Sequence, residues 1–128
     1  MEIVEVRDKK FSISIPAEEI QKRVKELGAS ISSDLNGRKP IFLAVLNGSF
    51  VFAADLLREI TIPCEISFIR MASYSGTSST GQVKEVMGLN ESLKGRTVVI
   101  IEDIIDSGLT MKELVALLQK EEPSEIRI

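Results

Sequence analysis

Apolar and polar positions follow two periods along this chain, and the changes of period mark its elements. Residues 3–6 and 11–15 alternate apolar and polar side chains, as the two arms of a small hairpin do. Pro16 then opens a segment in which Ile20, Val24, Leu27, Ile31 and Leu35 recur at helical spacing, and Asn36-Gly37 ends it. IFLAVL, residues 41–46, is apolar at every position, which suits a strand covered on both faces rather than one facing water. Beyond the turn at Asn47-Gly48, Ala53, Leu56, Leu57 and Ile60 fall at i, i+3, i+4 and i+7 and predict a helix over residues 49–60.

A second strand is predicted over 64–71, with Cys64 as a small buried residue at its start. SYSGTSSTG, residues 73–81, follows; its small polar side chains and two glycines cannot pack a core, so it reads as a mobile loop. Residues 83–89 read as a short strand, and Lys94-Gly95-Arg96 turns into TVVIIED, residues 97–103, an apolar strand ending on two acids. Met111, Leu114, Val115 and Leu118 mark an amphipathic helix that stops near Glu121-Glu122-Pro123. Residues 124–128 start another alternating strand without a closing turn or cap, the pattern expected of a truncated chain. Strands alternating with helices predict a three-layer α/β domain with a mainly parallel sheet.

Composition narrows the chemistry. The 128 residues fit one domain, residues 1–128, and 44% hydrophobic with 27% charged residues is a globular mixture. No apolar run approaches the roughly 18–20 residues that span a bilayer, so no membrane partner is expected. Sixteen Lys and Arg against nineteen Asp and Glu give a net charge of −3, which offers no broad field for nucleic acid. MEIVEVRDKK at the N-terminus lacks the apolar core of a secretory signal, and a cytoplasmic location is expected. One cysteine and no histidine leave no internal disulfide, no zinc site and no His base for a Ser or Cys triad. Carboxylates, hydroxyls, backbone amides and a hard metal remain.

VVIIEDIIDSGLT, residues 98–110, combines them. A buried strand delivers Glu102 and Asp103 to its C-terminal end, and Asp106, Ser107, Gly108, Leu109 and Thr110 lead into a helix whose first amides have no intrahelical partners. In open α/β sheets the ligand crevice lies at that end of the strands, and such a helix start suits a phosphate. Acids would face sugar hydroxyls or magnesium while the next residues cradle the phosphate. The competing reading is an acidic strand end followed by an ordinary Ser-Gly cap. Neither a G-x-x-x-x-G-K-[ST] loop nor a G-x-G-x-x-G turn occurs, so nucleotide hydrolysis and dinucleotide redox lose their usual support.

VVIIEDIIDSGLT resembles the signature of the type I phosphoribosyltransferases. Together with LNGS, residues 46–49, and FIRMASYSGTSSTG, residues 68–81, it is similar to the hypoxanthine and hypoxanthine-guanine branch, from about residue 11 to the end. The resemblance implies a three-layer fold in which strands 41–46 and 97–103 are neighbours, so that the loops after them face each other. Strand 83–89 would return antiparallel, and C-terminal strands would be missing. It implies Mg2+-dependent transfer of the 5-phosphoribosyl group from phosphoribosyl pyrophosphate to hypoxanthine or guanine, releasing pyrophosphate and forming IMP or GMP, by a homodimer or homotetramer.

Residue by residue, the resemblance gives Glu102 and Asp103 the ribose hydroxyls, directly or through magnesium. Asp106 would accept the purine proton, and 106–110 would hold the 5′-phosphate. Leu46, Asn47, Gly48 and Ser49 match the pyrophosphate loop, with a non-proline cis peptide before Asn47, where the family often has Lys. Ser73 and Tyr74 match a catalytic lid. Arg70 either faces pyrophosphate or stays solvated on the sheet. The Lys, aromatic and second acid that recognise the base in this family fall beyond residue 128, so the chain alone is expected to be weakly active or inactive. The alternative is a non-catalytic regulator of the same fold that senses phosphoribosyl pyrophosphate, marked by a basic stripe or a DNA-binding domain. A phospho-accepting receiver domain places its acids earlier in the chain.

Overall fold

The computed structural model describes residues 2–73, 83–87, 92–105 and 108–128. Their order is β1 (Ile3–Val6), β2 (Lys9–Ser12), α1 (Ala17–Asp34), β3 (Ile41–Leu46), α2 (Phe50–Arg58), β4 (Glu65–Ser73), β5 (Val83–Met87), β6 (Thr97–Ile101), α3 (Leu109–Gln119) and β7 (Glu125–Arg127). β1 and β2 form an antiparallel hairpin, and the other strands form a sheet ordered β5-β4-β3-β6-β7. β4, β3, β6 and β7 are mutually parallel, and β5 alone runs antiparallel, beside β4. No helix among the described residues is long and apolar enough to cross a membrane.

The continuous apolar runs are explained by layers on both faces. Ile41, Leu43 and Val45 of β3 and Val98 and Ile100 of β6 point to one side, where Met111, Leu114 and Leu118 of α3 cover them. Phe42 and Ala44, with Val99 and Ile101, point to the other, against Val24 of α1, Leu35 and α2's Ala53 and Leu56. Each fully buried Leu, Ile or Phe contributes about 1.5–3 kcal/mol, so β3 and β6 anchor the fold. From these adjacent strands the chain departs in opposite directions, through α2 to β4 and through α3 to β7. A crevice opens at such a switch point, at the C-terminal ends of the strands.

Several predicted boundaries move, and α2 stops at Arg58 rather than at 60. The second hairpin arm is Lys9–Ser12 rather than 11–15, because the turn is only Arg7-Asp8, with Arg7 at φ 57° and Val6 paired to Lys9. β6 stops at Ile101, two residues before the predicted end at 103. There the Asp103 amide donates to Glu102 Oε1 and the Ile104 amide to Asp103 Oδ1, each at 2.9 Å, so the acids' own side chains take the amides that would extend the ladder. β4 runs on to Ser73, past the predicted 71. Most of the predicted mobile loop, and residues 88–89 of the predicted strand, lie outside the described residues. Cys64 is half-buried one residue before β4, and burial pushes its thiol above the usual range.

Candidate active site

Leu46 closes β3 and is joined to Asn47 by a cis peptide bond, the conformation the resemblance implies. Buried Ser49 donates its hydroxyl to the Val45 carbonyl at 2.6 Å, and the Phe50 amide donates to the Asn47 carbonyl at 3.2 Å. These two bonds fold residues 46–49 into a tight turn that starts α2. The Ser49 hydroxyl is spent on the turn, so backbone amides and the Asn47 side chain are the polar groups it can offer outward.

The turn leans on the acids. A Cβ added at Gly48 would stand 2.2 Å from Asp103 Oδ2 and 2.7 Å from its carboxyl carbon, so any larger residue would force the Asp103 side chain out of this position. β3 and β6 are parallel neighbours, with Ala44 opposite Ile101, and the segments that follow converge. Segments about 55 residues apart in sequence thus meet at one edge.

Burial pushes the Glu102 carboxyl up to about 7; a hydrogen bond with Asp103 and its negative charge add to the effect. Asp103, accepting from Glu102, is held below the usual carboxylate range. Glu102 thus holds its proton more tightly than a free side chain does, while Asp103 releases its own more readily. A hard divalent cation would take the place of that proton, and carboxylate oxygens suit Mg2+, which keeps its remaining positions for water and phosphate oxygens. Glu102 and Asp103 are therefore the residues that fit magnesium, while no group of three metal-ligating side chains occurs among the described residues.

Gly108 stands at the start of α3 with φ 81°, a left-handed conformation that places the helix's first amides, and the Lys112 amide donates to its carbonyl at 2.9 Å. No side chain caps this terminus among the described residues. Gly108, exposed Thr110 and Met111 line a recess of about 160 Å³ together with Glu102, Ile104 and Ile105. Glu102, Ile104 and Ile105 also border a larger cavity of about 550 Å³ towards α1, which Asp103, Leu27, Ile31 and Phe52 help to line. The acidic tip stands between a small recess of mixed lining and a larger apolar one.

Of the residues singled out from sequence, Leu46, Asn47, Gly48, Glu102, Asp103, Gly108 and Thr110 gather at this end of the sheet. Leu109 begins α3 and Ser73 ends β4. Tyr74, Asp106 and Ser107 lie outside the described residues. Ile104 and Ile105, 71% and 51% exposed, had no assigned role. Their signal was in plain view: two β-branched residues placed after the strand has ended, where no core remains to take them.

The phosphoribosyl transferase domain matches residues 16–128, and the chain belongs to that family. Its relatives include hypoxanthine and hypoxanthine-guanine phosphoribosyltransferases. The hypoxanthine-guanine phosphoribosyltransferase of Bacillus subtilis is 44% identical over 117 residues, 91% of this chain and 65% of that protein. The hypoxanthine phosphoribosyltransferase of Salmonella typhimurium is 40% identical over 119 residues, 91% of this chain and 67% of that one. A crystal structure of a hypoxanthine phosphoribosyltransferase from Staphylococcus aureus superposes with a TM-score of 0.84 at 35% identity, covering 90% of this chain and 63% of that one. The chain spans about two thirds of the length of these relatives.

Proposed function

We propose that this chain carries the sugar-phosphate half of a purine-salvage active site. The reaction is transfer of the 5-phosphoribosyl group of phosphoribosyl pyrophosphate to a ring nitrogen of hypoxanthine or guanine, forming IMP or GMP and releasing pyrophosphate. The approach of Gly48 to Asp103 carries the reading, because it brings the turn after β3 against the acids after β6. A sugar with a phosphate at one end and a pyrophosphate at the other needs such a pair of loops. The names of the relatives favour catalysis over the sensing regulator.

Glu102 and Asp103 bind the ribose hydroxyls and are the ligands for Mg2+. When bound, Mg2+ supplies the charge that steadies the departing pyrophosphate. Residues 106–110 hold the 5′-phosphate with backbone amides and the hydroxyls of Ser107 and Thr110. Residues 46–49 orient the pyrophosphate, and Asp106 takes the proton released by the purine. Ser73 and Tyr74 begin a lid that excludes water from a ribosyl cation-like transition state. Self-association as a homodimer or homotetramer would cover the exposed Phe50 and Val51 of α2 and Ile66 and Phe68 of β4.

The test is a calorimetric titration of phosphoribosyl pyrophosphate with Mg2+ into the 128-residue chain, paired with an assay for IMP formation from hypoxanthine. Binding that requires both components is the expected result. A chain that neither binds phosphoribosyl pyrophosphate nor forms IMP would overturn the proposal.

A further inference from the structure

Charge is distributed unevenly along the sheet. At the end where the parallel strands begin, Lys39 and Arg96 both reach Glu65, at 3.4 and 3.5 Å, and Arg38 is paired with Glu125. Those cations are committed to carboxylates. At the crevice end Glu102 and Asp103 follow β6, and the turn beside them carries the neutral Asn47 where a cation would serve an anionic ligand.

Strand register places an arginine next to that turn. Phe68, Ala44 and Ile101 lie opposite one another across β4, β3 and β6. Two residues further on, Arg70 lies opposite Leu46, the last residue before the turn. On the other side of the turn β6 has already ended, and Asp103 reaches the turn through its approach to Gly48. Arg70 and Asp103 therefore stand on opposite sides of the turn, one strand spacing of about 4.8 Å separating Arg70 from Leu46. Arg70 is exposed, and none of the ion pairs between the side chains that the structure describes includes it. A guanidinium binds phosphate oxygens through paired N–H groups, which a lysine does less well.

We infer that Arg70 is a substrate-binding residue that neutralises the pyrophosphate end of the ligand, supplying from the neighbouring strand the cation that residue 47 lacks. The inference rests on the sugar-phosphate reading above and extends it: the ligand spans the turn, with acids and metal on the β6 side and a guanidinium on the β4 side. An ordinary solvated arginine at the same position would leave affinity unchanged.

Titration of inorganic pyrophosphate with Mg2+ into the whole chain separates these cases, using wild type, Arg70→Gln, Arg70→Lys and, as a control on α2, Arg58→Gln. Circular dichroism and melting temperature establish that each variant is folded. Loss of a charge-assisted contact predicts pyrophosphate binding weakened about tenfold or more in Arg70→Gln, with partial recovery in Arg70→Lys and none of the loss in Arg58→Gln. The salt dependence of binding becomes shallower in Arg70→Gln. Equal affinity of wild type and Arg70→Gln, while both still bind phosphoribosyl pyrophosphate, overturns the assignment of Arg70 alone. Failure of wild type to bind either anion overturns it together with the reading beneath it.

Discussion

The two ends of the central sheet are built on opposite electrostatic principles. Where the parallel strands begin, Glu65 is shared by Lys39 and Arg96, and Glu125 by Arg38 and Arg127. Charge there is matched within the chain. Where β3 and β6 end, two carboxylates are adjacent in sequence, one is pushed up to about 7, and a glycine is pressed against the other. The first arrangement is complete without a ligand. The second becomes comfortable only when a proton or a cation joins it, which is the expected cost of a site that receives a metal-bound polyanion.

Removing the acids should show this contrast at its largest. The double variant Glu102→Gln, Asp103→Asn is expected to weaken Mg2+-dependent binding of phosphoribosyl pyrophosphate at least a hundredfold, an effect of the order seen when a charged ligand set is lost. The same variant should melt at a higher temperature than wild type at pH 8, because the confined like charges are gone. Calorimetry and thermal melting check both. A fall in binding accompanied by a fall in stability would mean that the acids hold the fold together instead.

Gly48→Ala probes the contact between the loops. Its methyl group would overlap the Asp103 carboxylate, so either the turn or the acid must shift. Because Asp103 is exposed and its carboxylate can swing aside, the stability cost should stay below about 1 kcal/mol by denaturant unfolding. Phosphoribosyl pyrophosphate binding should fall all the same. Full affinity in this variant would break the picture of two loops in contact.

Protonation sharpens the comparison further. The folded-state value for Glu102 lies above its ordinary one near 4.5, so between about 4.5 and 7 the folded chain holds a proton that the unfolded chain has released. Its contribution to stability is greatest below that window and declines as pH rises through 7. The decline should be absent in Glu102→Gln, as unfolding curves from pH 5 to 8 would show. Mg2+ competes for the same oxygens and should bind more weakly as pH falls below 7.

Glu125 behaves in the opposite sense and more weakly. Hydrogen bonds from Arg127 and Arg38 hold its carboxyl below the usual range. Its contribution is therefore present at neutral pH and disappears as pH falls through the depressed value. The ion pairs are exposed enough that Glu125→Gln should lower the melting temperature only slightly and leave ligand binding unchanged.

How much of this was legible in sequence depended on the kind of force involved. β3 and the body of β6 were readable because burial on both faces leaves only apolar residues, and α1 was readable because one buried stripe leaves a helical period. The Arg7-Asp8 turn was hidden, since a left-handed arginine has no compositional signature. The end of β6 was hidden as well: whether an acid extends a ladder or bends back to cap the next amide depends on local competition. The acids and the glycine-containing turns of the site stood out as residue types. Their approach across the crevice, and the row that places Arg70 beside the turn, follow only from strand order and register.

The account turns on residues 46–49 and the Glu102-Asp103 tip acting as one binding site. Heteronuclear NMR of the chain titrated with phosphoribosyl pyrophosphate and Mg2+ tests this directly. The amides of Gly48, Asp103 and Gly108 should shift together along a single saturation curve, while those of β1 and β2 stay in place. Shifts confined to one loop, or a response elsewhere on the surface with these three amides unmoved, would contradict it.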